Sequence, residues 1–203
     1  MILFKFTKTG GAEFLAHLDI LRHIGRTMRR AGIKVAFSQG YNPHMLVYMS
    51  APMGIGIPSL AEYCQIDTDE EPESFVQKFN EYAPNGLTCV GAWKTQGKVG
   101  VASDIVKAEY KIAGINRFDE QDLLNLQEFV ITKKDGSYKN VRELIYSVEW
   151  EGDTLRAVIG FGNGLRIEKF TEKLVELYGG GEITAVKTRG LNKDSKDFED
   201  GIR

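Results

Sequence analysis

Cysteine is nearly absent. Cys64 and Cys89 are the only two, each in an apolar run, with no CxxC partner and no histidine at metal-ligand spacing. That excludes a disulfide framework, a zinc knuckle and the cysteine triplet of an iron–sulfur cluster, so the pair reads as buried reduced thiols. Histidine is as scarce: His17, His23 and His44 match no HExxH-type spacing, and neither a metal nor a cofactor is expected. No apolar run approaches the roughly 20 residues of a membrane span. The opening stretch MILFKFTKTGG is too short and interrupted for a secretory leader. The chain is therefore expected in the cytoplasm, with no membrane partner.

Signatures of chemistry are missing too. No nucleophile elbow, Ser-His-Asp order or kinase motif occurs. Gly54-x-Gly56 lacks the Lys-Ser/Thr ending of a phosphate loop, and the glycine-rich residues 160–164 lack the βαβ frame of a dinucleotide site. Glycines ahead of a helix start can still suit an anion.

What is present is an ordinary globular composition, 42% hydrophobic and 27% charged over 203 residues, enough to bury a core without staples. The net charge is only −2, but it is unevenly spread. Residues 1–50 hold seven Lys and Arg against Glu13 and Asp19, whereas residues 51–100 hold three lysines against seven acids. One basic face with a polyanionic partner is the functional reading of such asymmetry.

Alternating runs predict strands over residues 2–6, 61–67 and 87–93 and a second strand that begins at 34–37 and resumes at 45–50 after a loop, with helices over 13–31 and 71–82. That order, βαββαβ, is the ferredoxin-like pattern. Residues 95–103 read as a linker. The second half repeats the logic: strand 106–112, helix 120–130, a turn at Lys134-Asp135-Gly136, strands 143–150 and 155–161, helix 167–178 and strand 182–187. The expected fold is thus α+β: tandem ferredoxin-like halves with antiparallel sheets over 1–95 and 104–190, then a charged, frayed tail over 191–203. A single larger sheet is the rival architecture.

On a helical wheel with His17 at zero, Met28, Leu21, Phe14, Gly25 and Leu18 fall at roughly 20–100°, with Ile24 at about 340°, and together make the expected core stripe. Arg29, Arg22, Arg26 and Arg30 fall at roughly 120–220°, on a solvent face. Guanidinium forks suit phosphates, and a row at i, i+4, i+7 matches neighbouring phosphates on a strand. The plainer reading is a solvated face with Asp19 pairing Arg22 or His23. His17 reads as a boundary residue or, alternatively, a general base. In the loop Ser-Gln-Gly-Tyr-Asn-Pro-His at 38–44, Gln39, Asn42 and His44 offer polar groups and Tyr41 a stacking ring. The plainer reading there is a turn that satisfies its own backbone.

The segments FLAHLD (14–19), RRAGI (29–33), AFSQGYNP (36–43) and PMGIGIPSLAEY (52–63) resemble the radical-SAM-linked protein family, a bacterial domain family of unknown function. The resemblance extends over residues 1–190, more loosely beyond Gly97. It implies a radical S-adenosylmethionine enzyme as partner, fused or encoded beside it and often near RNA-processing genes, and no established reaction. The sequence departs from the family after His44, where Met45 and Leu46 stand in place of a proline and a basic residue.

The expectation is a non-catalytic accessory module of that enzyme, serving RNA modification by binding RNA or an RNA-linked substrate. Arg22, Arg26, Arg29, Arg30, Lys34, Gln39, Tyr41 and Asn42 would carry it. Two alternatives stay open. One is an endoribonuclease-like enzyme with His17 or His44 as acid/base, by analogy of element order to the CRISPR-repeat endoribonucleases. The other is a protein–protein adaptor.

Overall fold

The computed structural model describes residues 1–133, 135–162 and 164–202. Its first half runs β1 (Ile2–Lys8), α1 (His17–Arg30), β2 (Val47–Met49), β3 (Ser59–Ile66), α2 (Pro72–Tyr82) and β4 (Cys89–Lys94). The second runs β5 (Lys107–Ile115), α3 (Glu120–Leu124), β6 (Val130–Thr132), β7 (Tyr138–Asn140), β8 (Ile145–Glu151), β9 (Thr154–Gly160), α4 (Ile167–Tyr178) and β10 (Gly180–Leu191). Both halves contribute to one sheet in the order β4-β1-β3-β10-β5-β9-β8, with β2 also on β3. All its pairings are antiparallel except β3–β10, where Lys187 stands opposite Ser59. The fold is mixed α+β with a mostly antiparallel sheet. The halves share this sheet rather than forming one each, because three-residue β2 covers only the Cys64–Ile66 end of β3 and leaves the Ser59 end for β10; β6 and β7 form a separate two-stranded sheet.

The alternation of β1 sends Ile2, Phe4 and Phe6 under α1 and α2 and Leu3 to the other core. Phe4 lies 5.0 Å and 5.3 Å from the rings of Phe75 and Phe79, a tilted aromatic cluster with no exposed atom. Helix α1 buries Ile20, Ile24 and Met28 at i, i+4, i+8. This stripe is rotated from the expected one: Leu18 and Phe14 are 63% and 67% exposed. Phe14 belongs to a separate 3-10 turn, Ala12–Phe14, and the helix starts only at His17. Continuity would need the Glu13 carbonyl for the His17 N–H, but that carbonyl accepts from Gly56 instead (2.9 Å). The C-terminus closes as expected at Gly32, whose φ of +65° allows Ile33 N–H to reach the Met28 carbonyl (3.0 Å).

Three further expectations are corrected. Residues 34–37 form no strand, only an isolated bridge of Phe37 to Met45, because Ala36 N–H turns to the Asp67 carbonyl. The helix expected over 120–130 ends at Leu124; β-branched Val130, Ile131 and Thr132 pair with β7 instead, and Asn140 Oδ1 accepts from Phe129 N–H (3.0 Å). Asp135 and Gly136 do form the turn between β6 and β7, while Lys134 lies outside the described residues.

The tail is ordered against the sheet rather than frayed. Arg189 forks onto Asp197 (2.9 Å and 3.0 Å), and Phe198 is 5% exposed with its ring edge-on to Tyr63 at 5.4 Å. Glu199 accepts from Tyr63 (2.5 Å) and Lys5 (2.8 Å). Arg203 lies outside the described residues. The expected linker is also pinned: the Gln65 amide donates to Thr95 Oγ1 and the Gly97 carbonyl (2.8 Å each) and accepts from Val99 N–H (3.0 Å).

Cys64 and Cys89 are free and buried. Burial pushes the Cys64 thiol well up and the Cys89 thiol up to about 12. Titration of the native protein with a disulfide reagent at mildly alkaline pH is therefore expected to find neither thiol, and both after unfolding in guanidinium. Fast reaction of either in the native protein would contradict this burial. Among the described residues no helix is long and apolar enough to cross a membrane.

Candidate functional site

Two places on the helix-bearing face gather functional groups. The first is the outer side of α1. Arg22, Arg26, Arg29 and Arg30 are exposed there, with exposed Lys34 just beyond the helix. Arg22 pairs with Asp19 at 2.7 Å. Arg26, Arg29 and Arg30 pair with no carboxylate among the described residues.

The 38–44 loop is a narrow hairpin beside this face. Ser38 N–H donates to the His44 carbonyl (2.8 Å), His44 N–H donates to Ser38 Oγ (3.1 Å), and Ser38 Oγ bonds His44 Nδ1 (2.8 Å). These bonds staple the hairpin at its base and occupy His44. Gln39, Tyr41 and Asn42 project beyond the staple; all are exposed, Tyr41 completely. On the return side, Met45 Sδ lies 3.6 Å from where a Cβ on Gly25 would stand. The hairpin therefore crosses α1 at Gly25, with Arg22 and Arg29 one turn to either side. Met45 packs on the first core, which accounts for an apolar residue at this position.

The second place lies at the junction of the two halves. The register aligns Lys8 with Ser59, Ser59 with Lys187 and Lys187 with Tyr110, a row of polar residues across the middle of the sheet. Lys187 is wholly buried, with Nζ 2.9 Å from Glu62 Oε1 and 4.1 Å from the centroid of Phe161. Glu62 also accepts from Ser59 (2.7 Å) and Ser50 (3.4 Å). Lys8 is 4% exposed and, among the described residues, reaches only the Gly54 carbonyl, at 3.4 Å. Burial pulls its amine below the ordinary lysine value, with Glu62 opposing and Lys187 adding.

His17, in the first turn of α1, shares a wall with Lys8, Glu62, Met49 and Met53. Burial holds its imidazole below the ordinary value, and the Lys8 charge adds to that against Glu62. The two histidines considered as acid/base thus stand in different places, His17 at the junction and His44 in the hairpin staple.

Beside this row a cavity of about 310 Å³ opens between residues 51–54 and the start of α4. Tyr110, Phe161, Leu165, Ile167 and Glu168 line it, and Arg166 is exposed at its edge. Asn163, in the glycine-rich segment, lies outside the described residues. Lys8, Glu62, Lys187, Tyr110 and Glu168 were not among the residues expected from sequence. Lys8, Glu62 and Lys187 carry one local signal, a charge within a strand; Tyr110 in β5 and Glu168 in the first turn of α4 carry none.

No curated protein sequence matches this chain. Among solved structures, the crystal structure of a Cbf5-Nop10-Gar1 complex is similar, with a TM-score of 0.49 and 9% identity over 98% of this chain. The chain covers 50% of that matched chain, about half its length. The match of residues 1–177 to the family described as an uncharacterized protein conserved in bacteria shows that the chain belongs to that family, DUF2344.

Proposed function

We propose that this chain is a non-catalytic RNA-binding module that presents RNA, or an RNA-linked substrate, to a radical S-adenosylmethionine enzyme. The observation that carries the binding half is the exposed face of α1: among the described residues Arg26, Arg29 and Arg30 have no carboxylate partner, and they stand beside a stapled hairpin that displays a fully exposed Tyr41. Unpaired guanidinium groups next to a free ring suit a single strand, whose phosphates and bases are bound by charge and stacking. The partner enzyme rests on the sequence resemblance. Within each half the strand order, β4-β1-β3-β2 and β10-β5-β9-β8, supports reading the chain as tandem ferredoxin-like units.

The test is binding of labelled single-stranded RNA to the full chain, with the RNA then run on a gel. Three phosphate contacts predict a loss of about twentyfold in affinity between 50 and 200 mM salt, from a slope of roughly −0.7 per contact. Arg26→Ala should weaken binding and flatten that slope by about 0.7, with the RNA intact. Cleaved RNA that disappears with His17→Ala or His44→Ala would replace this reading with an endoribonuclease. Absence of binding at low salt would leave an adaptor, to be sought by pull-down with the radical enzyme.

A further inference from the structure

The cavity between residues 51–54 and the start of α4 holds two polar groups whose hydrogen-bonding capacity is unspent. The carboxylate of Glu168, in the first turn of α4, receives no hydrogen bond and forms no ion pair among the described residues. Its Oε1 lies 1.8 Å from where a Cβ on Gly54 would stand, so the absence of a side chain at Gly54 makes room for the carboxylate. Tyr110 is 3% exposed, and among the described residues its hydroxyl meets only Met53 Sδ, at 3.7 Å. A thioether is a weak acceptor, so a buried donor remains to be satisfied. Burial raises the Tyr110 hydroxyl, with Glu62 and Glu168 adding, so it stays protonated and able to donate. Met53, Phe161, Leu165 and Ile167 supply apolar wall, and Arg166 and the backbone of Gly54, Gly162 and Gly164 also line it.

A ligand that satisfies this site is flat and apolar on its faces. Its edge carries two adjacent N–H donors for a carboxylate and, next to them, an acceptor for a hydroxyl. We infer that the cavity binds a guanine ring, with N1–H and the 2-amino group donating to Glu168 and O6 accepting from Tyr110. Adenine and cytosine offer a single amino group beside a ring acceptor, and uracil a lone N–H between two carbonyls, so none fills both bonds to a carboxylate. A cavity of about 310 Å³ is at the small end of ligand sites, the scale of a base or nucleoside. Exposed Arg166 at its edge is placed for a 5′-phosphate. The ring can come from a free nucleotide or from a base turned out of a strand. The residues involved are distinct from the arginine face, so this inference stands apart from the RNA-binding reading.

The experiment is calorimetric titration of the full chain with guanosine, inosine, adenosine, cytidine and uridine. Guanosine is expected to bind. Inosine, which lacks only the 2-amino group, should bind about tenfold more weakly or worse, as expected for a lost hydrogen bond to a charged group. The other three should bind below detection. Glu168→Gln, at a half-buried position, should cost guanosine about tenfold, and Tyr110→Phe, which keeps the ring, several-fold. Guanosine 5′-phosphate should bind more tightly than guanosine, and Arg166→Ala should remove only that increment. Arg26→Ala should leave guanosine binding unchanged.

No guanosine binding, equal binding of all nucleosides, or an unaffected Glu168→Gln would each overturn the inference. If the arginine variant loses RNA while guanosine still binds, the two sites are separate and both readings hold; if RNA binds and guanosine does not, only the cavity reading falls. The source is settled with an oligoribonucleotide carrying one guanosine or one inosine. Discrimination between them assigns the ring to a strand, and its absence, with guanosine 5′-phosphate bound, assigns it to a free nucleotide.

Discussion

Replacing Glu62 with alanine is expected to lower the unfolding free energy by about 3–5 kcal/mol, the usual cost of removing one partner of a buried ion pair. Lys187 is wholly buried and, among the described residues, its ammonium has one acidic partner, 2.9 Å away. Without Glu62 that charge is left against the face of Phe161, and Ser50 and Ser59 lose their acceptor as well. The reciprocal change is milder. In Lys187→Met the carboxylate keeps both serine hydroxyls and the nearby Lys8, so a smaller loss is expected. A Glu62→Leu/Lys187→Met double variant should recover most of the stability, since apolar side chains of similar volume replace such pairs at little cost. Urea unfolding followed by fluorescence and far-ultraviolet dichroism reads all three, as a shift of midpoint at unchanged slope. Equal losses for the two single variants would show that Lys187 is not held by Glu62 in the way the geometry requires.

Phe198→Ala is expected to cost about 3–5 kcal/mol, the range for a fully packed phenylalanine. Its neighbours, Asp194, Lys196, Asp197, Glu199 and Asp200, give the segment the composition of a frayed tail, for which the same substitution would cost less than about 0.5 kcal/mol. Yet Phe198 packs edge-on to Tyr63, and next to it Glu199 ties together Tyr63 and Lys5 from two strands. Tryptic cleavage after Lys193 or Lys196 should be slow in the parent and fast in the variant. A variant as stable and as resistant as the parent would return this segment to the solvent. Burial and Glu199 also raise the Tyr63 hydroxyl. A group whose pKa is higher in the folded chain contributes stability that is lost as pH rises past its unfolded value, so the anchoring should weaken in strong alkali.

Local periodicity made much of this architecture readable. Ile167–Tyr178 is a helix with the bounds its apolar spacing predicts, and β8 and β9 pair where strands are expected over 143–150 and 155–161. Reading stopped where a distant group claimed a local atom. The start of α1 moved because Gly56 takes the Glu13 carbonyl, and including Phe14 in the wheel rotated the predicted core stripe away from Ile20. The arginine face and the hairpin could be located from sequence, since helix spacing and a Gly-x-Asn-Pro turn are local signals. The cavity could not. Tyr110, Glu168 and Gly54 lie far apart in the chain, and nothing in a run of residues says that a glycine in one half leaves room for a carboxylate in the other. The tail was hidden for the opposite reason: a single phenylalanine among charges carries no periodicity at all.

The parallel joint between β3 and β10 also sets a timetable for synthesis. Lys187 follows its partner Glu62 by 125 residues. While a ribosome adds those residues at roughly 5–20 per second, the Ser59 end of β3 waits about 6–25 s without its neighbour. During that interval the amino-terminal half presents an open strand edge with an unmatched carboxylate in its floor. An unpaired edge invites pairing with other chains, whereas an inward-pointing charge discourages it. In the finished molecule Glu62 holds the last strand; in the growing one it guards the place that strand will take.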